Sequence, residues 1–572
     1  MGSNVPAARD SRLDRAFDLY EAGDLDGAVD LCQSILRLDD KHYGALYLLG
    51  SVFGQKGRLD EAAAALQRAI AIDPSRPLAN YNLGVIWRRM DRHPDALACL
   101  ARARAARPDL NYLQGDIWQV RQQLCDWSEF AAASERIREA IAAGERVASP
   151  FDALAICDSN ALKRKAAEIY VASEFKAAPR PLAPARAAAR DKIRLGYFSP
   201  DFRDHATAHL MSGVFERHDK SRFEVSAFSF GPSSADEMRK RLTAAFDRFL
   251  DVGDRTNQQI AELARDLEID IAIDLNGFTE FHRFGIFANR AAPIQVEYLG
   301  FPGTTGAPFI DYLIADPVIV PDDQRVHFSE RVVRLPHTYH PYDRTREIAE
   351  DTPSRASLSL PESGFVFCCF NNNYKITPDV FDGWMRILRR TPGSVLWLLR
   401  NSEPAAANLR REAEARGVDP GRLAFAERAP NPQHLGRHRQ ADLFLDTLPY
   451  NAHTTASDAL WAGLPVLTRI GEAFAGRVAA SVLTAVGLPE MIARSQPEFE
   501  DMAVELATNP DKLAAISAKL ANNRLATPLF DTELFTRDLE RAFAAMCERY
   551  RLGRQPEDID LAPIAGSPPA RT

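Results

Sequence analysis

The chain contains 572 residues with a formal net charge of −8, and 26% of its residues are charged. Because single hydrophobic cores stop growing at about 250–300 residues, this length predicts several domains. The acidic balance, without a concentrated basic segment, argues against nucleic acid as the main partner.

Cysteines and apolar segments bear on the cellular compartment. The seven cysteines are scattered and form no CxxC pair or Cys/His metal spacing, which favours a reducing compartment. Residues 1–30 carry alternating charges, and no uninterrupted run of about 18 apolar residues occurs. We therefore expect a cytoplasmic protein with no signal peptide and no membrane partner.

The N-terminal part of the sequence repeats at an interval of 34 residues. Four positions show this shift: Gly50 to Gly84, Ala62 to Ala96, Ala69 to Ala103 and Pro74 to Pro108. The interval is the period of the tetratricopeptide repeat, a hairpin of two helices. A more degenerate first copy begins near Ser11, so we predict three repeats within residues 1–111.

Residues 112–190 predict a helical connector and a linker. Trp118, Trp127 and Phe130 continue an apolar helical pattern, but the repeat register is lost. The segment Ala177–Ala189 is rich in Ala, Pro and Arg, a composition typical of exposed linkers.

From residue 191 onward, short apolar segments alternate with helix-length polar ones. They fall into two series: Ile193–Phe198, Phe223–Phe230, Ile269–Leu275, Ile294–Leu299 and Tyr312–Ala315, then Phe365–Phe370, Val395–Leu399, Leu423–Phe425, Leu443–Leu445 and Pro465–Thr468. This alternation predicts parallel sheets covered by helices on both faces. We predict two doubly wound domains, 191–345 and 346–554, with a ligand cleft at the carboxyl ends of their strands. Four prolines without periodicity predict a disordered tail at 555–572.

The segment Asp446–Asp458 predicts a strand, a loop and the start of a helix. His453, Thr454 and Thr455 lie at that helix start, where free N–H groups and the helix dipole suit a diphosphate. Asp458, one turn further, is placed to accept ribose hydroxyls. The alternative is an ordinary threonine N-cap.

Lys375 follows another predicted strand, at the end of the string NNNYK. A lysine there can neutralise the charge that grows on a departing diphosphate. The alternatives are a surface lysine and Schiff-base chemistry, for which nothing else in the sequence argues.

Two histidines lie in polar segments next to predicted strands: His434 precedes a strand of the second series, and His205 follows a strand of the first. His434 is placed to stack on a base, with Arg437 to pair with phosphate, and a solvated helix start is the alternative. His205, after the first strand of the first domain, suits a general base or a group that orients an acceptor hydroxyl. A structural histidine is the alternative for His205.

The string GFPGTTG at Gly300–Gly306 is glycine-rich and suits a close approach of backbone to ligand. It lacks the dinucleotide pattern and the Walker lysine, so a turn is the alternative. Aspartates spaced as DxD occur only at Asp24/Asp26 and Asp558/Asp560, away from any predicted strand end. We therefore predict a metal-independent mechanism with no cofactor.

Together these segments resemble the O-linked N-acetylglucosaminyltransferase family, with its SPINDLY-like and bacterial members. The strings that carry the resemblance are DFxxHxTxHLM at Asp201–Met211, GFPGTTG at Gly300–Gly306, HTTxSDxLWAG at His453–Gly463 and GRVAASxL at Gly476–Leu483. The resemblance implies a multidomain chain: an all-α tetratricopeptide repeat superhelix, then an α/β GT-B unit of two Rossmann-like domains. It also implies transfer, with inversion, of a sugar from a UDP-sugar to Ser or Thr of a protein bound through the repeat groove.

The resemblance assigns roles to matching residues. Lys375 is similar to the lysine that stabilises the UDP leaving group, and His205 to a proposed base. The matching donor-binding residues are Gly300, Pro302, Asn372, His434 at uracil, Arg437, Tyr450, the diphosphate ligands His453, Thr454 and Thr455, and Asp458 at ribose.

Three positions depart from the animal members of this family. Asn372 replaces Gln, Asn431 replaces Lys, and Tyr450 replaces a small Cys close to the expected N-acetyl pocket. GlcNAc is the expected sugar, and glucose or another hexose stays open. N-glucosyl transfer, O-fucosyl transfer and a catalytically decayed repeat scaffold are the alternative functions.

Overall fold

The computed structural model describes residues 11–175, 191–232, 234–351 and 353–564. The predicted linker Ala177–Ala189 lies outside the described residues. The chain divides into two compact units, one ending at Arg121 and including 255–257, and the other containing the rest.

Three helical hairpins form the repeats of the first unit. Their helices are α1 (Ser11–Glu21), α2 (Leu25–Leu36), α3 (Tyr43–Gln55), α4 (Leu59–Ile72), α5 (Pro77–Arg89) and α6 (His93–Ala106). A Cβ on Gly50 would lie 2.4 Å from Cγ of Leu66, and one on Gly84 would lie 2.7 Å from Cγ of Leu100. The glycine that recurs every 34 residues therefore lets the two helices of a hairpin touch.

Four helices connect the repeats to the sheets: α7 (Leu113–Gln123), α8 (Phe130–Ala143), α9 (Pro150–Ile156) and α10 (Asn160–Glu174). Trp127 packs on Phe381 with ring centroids 5.3 Å apart, and the Asn408 amide donates to Leu124 O at 2.8 Å. Residues 122–175 are thus part of the same compact unit as the sheets, rather than an independent connector.

Two parallel sheets form the core of the second unit. The first contains β1 (Ile193–Ser199), β2 (Phe223–Ser229), β3 (Arg248–Asp251), β4 (Ile271–Asp274), β5 (Ile294–Glu297), β6 (Tyr312–Ala315) and β7 (Arg331–Arg334). The second contains β8 (Val366–Cys369), β9 (Val395–Leu399), β10 (Leu423–Ala426), β11 (Leu443–Leu445), β12 (Val466–Arg469) and β13 (Ile492–Ala493). A last strand, β14 (Ile559–Asp560), pairs with β7 at the edge of the first sheet.

Helices cover these sheets. Those after the first strand series are α11 (Ala206–Arg217), α12 (Glu237–Ala245), α13 (Asn257–Asp266) and α14 (Gly285–Ala288). The helices that follow later in the chain are α15 (Pro378–Arg390), α16 (Glu403–Ala415), α17 (Asn431–Arg437), α18 (Thr454–Trp461), α19 (Val478–Ala485), α20 (Gln496–Thr508), α21 (Pro510–Asn523) and α22 (Thr532–Arg551). None of the helices in the described ranges is long and apolar enough to cross a membrane.

Both sheets have the same winding pattern. The strand orders are β14-β7-β6-β5-β4-β1-β2-β3 and β10-β9-β8-β11-β12-β13. In each, the chain winds outward in one direction, returns to the centre, and then winds outward in the other. The crevices at these reversals, between β1 and β4 and between β8 and β11, are where doubly wound sheets bind ligands.

The C-terminal end of the described chain returns to the first domain. Helix α22 lies within the predicted second domain 346–554 by chain order, but it packs on α11 and on β5 of the first sheet. There Glu540 contacts His218 Nδ1 at 3.0 Å and accepts the N–H of Asp219 at 2.8 Å. Residues 555–564 of the predicted tail include β14, which extends the first sheet, and Asp560 pairs with Arg334. Residues 565–572 lie outside the described residues.

Candidate active site

The loop from β11 to α18 is held by one buried carboxylate. Asp446 Oδ1 accepts the N–H groups of Thr447 at 2.7 Å and Ala452 at 2.6 Å, and Oδ2 accepts the Thr468 hydroxyl at 2.6 Å. Burial raises the pKa of Asp446 to about 6. These bonds turn the loop back over the end of β11, so that α18 begins at the reversal between β8 and β11.

His453, Thr454 and Thr455 lie at the start of α18, as predicted. The first turn of a helix leaves N–H groups without intrahelical acceptors and carries the positive end of its dipole. His453 makes no capping bond; its Nε2 lies 3.1 Å from the carbonyl oxygen of Ala475. Thr455 donates its hydroxyl hydrogen bond to Asn371, which follows β8. This hydrogen bond therefore links the segments that follow β8 and β11.

Lys375 lies beside the same helix start. Its Nζ donates to Asn451 O at 2.9 Å and stands 3.8 Å from the ring centroid of Tyr450. The side chain is only 8% exposed, and burial lowers its pKa to about 7 despite the opposing charge of Asp446. An ammonium held this way gains a counter-charge when an anion occupies the helix start.

Tyr450 and Asn372 also lie close to Lys375. The Tyr450 ring is buried and packs against Tyr374 and His453, with centroids 5.8 Å and 5.0 Å away. Asn372 precedes the short turn that carries Lys375, and its buried Oδ1 has no hydrogen-bond partner within the described chain. That oxygen is available to accept from a ligand.

His434 and Arg437 form a pair on α17. The guanidinium of Arg437 contacts Nδ1 of His434, donates to the Glu427 carbonyl and lies 4.7 Å from the Phe370 ring centroid. Burial lowers the pKa of His434 to about 2 and that of Arg437 to about 10. A neutral imidazole suits stacking on a base. Arg437, whose side chain is engaged within the protein, holds His434 in place rather than extending toward a phosphate.

Asp458 has a partner that the sequence did not reveal. Arg346 makes two hydrogen bonds to its carboxylate, one of them 3.2 Å to Oδ2, and Tyr342 donates to Oδ1 at 3.2 Å. Arg346 also donates a hydrogen bond to Asn431 Oδ1 at 3.1 Å. Arg346 lies 112 residues before Asp458, at the predicted boundary between the domains 191–345 and 346–554. Any ribose hydroxyl at Asp458 shares the carboxylate with this arginine.

In the first domain, His205 is the N-cap of α11. Its Nδ1 accepts the N–H of Thr207 at 3.3 Å and lies 3.5 Å from Asp201 Oδ2. Burial lowers the pKa of His205. With Nδ1 accepting, the neutral ring carries its hydrogen on Nε2. In this arrangement His205 donates from Nε2, which fits orientation of an acceptor oxygen better than removal of its proton.

Gly300 and Pro302 lie in the loop after β5. A Cβ on Gly300 would lie 2.2 Å from Leu275 O, so the close approach is to the protein's own backbone at the end of β4. Glu330 fixes the loop by accepting the Thr304 hydroxyl and the Thr305 N–H, each at 2.6 Å. Among the described ranges, no group of three or more His, Cys, Asp or Glu side chains is placed to hold a metal ion.

Helical repeats followed by two doubly wound sheets, with polar residues gathered at the sheet reversals, define a GT-B glycosyltransferase with tetratricopeptide repeats. The chain belongs to glycosyl transferase family 41, whose profile matches residues 173–350 and 346–539. A tetratricopeptide repeat profile matches residues 13–77 and 47–111. The predicted fold class and family are therefore confirmed.

Similar proteins come from plants, animals and bacteria. The Arabidopsis thaliana protein named "Probable UDP-N-acetylglucosamine--peptide N-acetylglucosaminyltransferase SEC" is 40% identical over 376 residues, 65% of this chain and 38% of the relative. The Caenorhabditis elegans UDP-N-acetylglucosamine--peptide N-acetylglucosaminyltransferase is 31% identical over 474 residues, covering 63% and 41% of the two chains. This chain thus spans about two fifths of the length of these curated relatives.

A solved structure covers nearly the whole chain. It is a mutant of the Thermobaculum terrenum O-GlcNAc transferase, 29% identical, with a TM-score of 0.72 over 97% of this chain and 100% of that one. The likeness extends through the repeats, the connecting helices and both sheets.

Proposed function

We propose that this chain is an inverting, metal-independent protein glycosyltransferase that moves GlcNAc from UDP-GlcNAc to Ser or Thr hydroxyls. In this reaction the bond between the anomeric carbon and the β-phosphate oxygen breaks, and UDP leaves with the electron pair. The acceptor oxygen bonds to the opposite face of the same carbon. The hydroxyl proton passes to a base or to solvent.

The observation that carries the proposal is the placement of Lys375 beside the start of α18. Its Nζ, bonded to Asn451 O at 2.9 Å, and the N–H groups of Thr454 and Thr455 at the start of α18 lie where β8 and β11 end. Both stabilise negative charge, and the charge on UDP grows as the glycosidic bond breaks. This arrangement performs the role that a divalent cation has in metal-dependent glycosyltransferases.

The relatives support the donor and acceptor. Both curated relatives are named as transferases of N-acetylglucosamine from UDP to peptide, and the solved structure is named an O-GlcNAc transferase. The repeats of residues 11–106 supply a surface for a protein acceptor. All seven cysteines are unpaired and buried, so we place this activity in the cytoplasm.

A transfer assay tests the proposal. We expect label from radioactive UDP-GlcNAc to enter Ser or Thr of proteins in a bacterial lysate, released by alkaline β-elimination, with and without EDTA. Lys375→Met should lower the rate at least about a hundredfold, the usual effect of losing a group that stabilises leaving-group charge. Equal rates for Lys375→Met and the wild type, or dependence on added metal, would contradict the proposal.

Tyr450 favours a second candidate, transfer of a hexose without an N-acetyl group. Its ring is buried between Tyr374, His453 and Lys375, and so fills space that a small residue would leave open. If this candidate is right, the wild type uses UDP-glucose at a higher kcat/KM than UDP-GlcNAc. Tyr450→Cys should then move the preference toward UDP-GlcNAc.

A further inference from the structure

A second buried lysine lies near the start of α18, on the connecting helix α10. Lys163 is 5% exposed, and its Nζ has no hydrogen-bond partner within the described chain. Ammonium groups are strongly hydrated, so their burial without a partner is costly. An anionic ligand bound beside Lys163 would supply the partner that the described chain does not.

The helix itself shows where Lys163 faces. Asn160, Lys163 and Ala167 are three and four residues apart and so lie along one side of α10. At one end of this side, Asn160 Oδ1 accepts the Phe474 N–H at 3.2 Å, in the loop after β12. At the other end, a Cβ on Gly306 would lie 2.9 Å from the carbonyl carbon of Ala167. Lys163 therefore stands between the Gly300–Gly306 loop of the first domain and the β12–α19 loop of the second.

The β12–α19 loop connects Lys163 to the start of α18. Ala475, in this loop, accepts from Asn451 N at 2.9 Å through its carbonyl oxygen, which also lies 3.1 Å from His453 Nε2. Burial, the charge of Lys375 and, to a smaller extent, the charge of Lys163 lower the pKa of His453. Both ammonium groups thus act on the same imidazole.

Asp158, an acidic side chain whose charge acts on Lys163, is already engaged. Asp158 accepts the N–H groups of Glu472 and Ala473, each at 2.8 Å, and so holds the β12–α19 loop. Burial lowers the pKa of Lys163 despite the opposing influence of Cys157 and Asp158. Burial also raises the pKa of Cys157, so its thiol stays neutral and does not supply a counter-charge. The compensating anion is therefore expected from outside the chain.

We propose that Lys163 binds a phosphate oxygen of the nucleoside diphosphate, as a second cation opposite Lys375. This inference rests on the proposed function, because it takes UDP as the ligand. It assigns to the connecting helix a part in the donor site. The helix start, Lys375 and Lys163 then surround the diphosphate with positive charge from three separate segments.

Calorimetric titration of the full chain with UDP and with uridine tests this inference. Lys163→Met should weaken UDP binding at least about tenfold, or 1.4 kcal/mol, and leave uridine binding unchanged within about twofold. Lys163→Arg should keep UDP affinity within about threefold of the wild type, because it keeps the charge. Lys165→Met, an exposed position on the same helix, is the matched control and should change neither affinity.

Different outcomes separate the two proposals. If Lys163→Met binds UDP like the wild type, or loses UDP and uridine binding equally, Lys163 is not a phosphate ligand. If Lys375→Met still weakens UDP binding in that case, the proposed function stands alone. If the wild type binds neither ligand, both proposals are wrong. Thermal unfolding of Lys163→Met verifies that the fold is intact, and we expect no loss of stability because an unpaired buried charge is removed.

Discussion

Several charged side chains of the candidate site are almost fully buried. Lys375, Asp446 and the pair of Arg346 and Asp458 are each at least nine-tenths buried. In such surroundings an electrostatic interaction is stronger than in water, and loss of one partner is correspondingly costly. Burial lowers the pKa of Lys375 and raises that of Asp446, so the ionisation of these two groups is linked to the stability of the fold.

UDP affinity should depend on pH through Lys375. In the free protein its pKa is about 7, so the ammonium loses its proton as the pH rises above that value. Bound phosphate favours the protonated form, so binding above about pH 7 takes up a proton and weakens by up to about tenfold per pH unit. We expect this slope between pH 7.5 and 9 by calorimetry and its reduction in Lys375→Met, and a flat wild-type profile would contradict the assignment.

Asp458→Asn should destabilise the protein by about 3 kcal/mol, because it leaves Arg346 buried without its counter-charge. Glu403→Gln removes an exposed partner of Arg400 and should cost less than about 1 kcal/mol. Chemical denaturation of both variants compares the two pairs. A similar small loss for both would show that Arg346 finds another partner.

Residue types and chain order indicate that Lys375 and His453 lie close together, but they do not indicate every residue near the candidate site. Lys375 and His453 each follow a strand, and the doubly wound pattern makes those strands neighbours, so their proximity was predictable. Arg346 and Lys163 gave no such signal. One lies in a polar stretch between domains and the other on a connecting helix, and only tertiary packing brings them to the site.

Secondary-structure elements were predicted where apolar residues dominate. The runs at Leu443–Leu445 and Val395–Leu399 are strands as expected. Strands β3 and β7 were missed because each begins and ends with a charged residue. Short edge strands of this kind depend on pairing with a neighbour for their stability, which local sequence does not encode.

Gly300→Ala tests how tightly one loop is packed. The added methyl group would lie 2.2 Å from Leu275 O, so the backbone must shift, and we expect a loss of about 1–3 kcal/mol. Gly253→Ala is the control, because the nearest atom to its Cβ is 3.6 Å away. Thermal unfolding should separate the two variants by several degrees, and equal midpoints would contradict the described packing.

For the whole molecule, α22 is the element that connects the end of the chain to the first sheet. Its Glu540 satisfies both the His218 ring and the Asp219 N–H in a buried position. The order of strands and helices along the chain does not reveal this return, because α22 follows the second strand series without interruption. A helix pattern shows that a helix forms, but not which of two sheets it covers.

Glu540→Ala should destabilise the second unit by about 1–3 kcal/mol, because two buried polar groups lose their partner. Glu533→Ala, on the same helix but 67% exposed at its side chain, should change stability by less than about 0.5 kcal/mol. Differential scanning calorimetry of both variants measures the difference. If Glu540→Ala unfolds like the wild type, α22 does not hold the first sheet as described.

The return of α22 has a consequence for biosynthesis. A ribosome releases residues 193–334, which contain β1 to β7, long before it releases Thr532–Arg551. The surface of α11 and β5 that α22 covers therefore stays exposed in the nascent chain until the second domain has been translated. Domains usually fold in order from the N-terminus during synthesis. Here the second domain can complete its sheet first, and the earlier domain closes last.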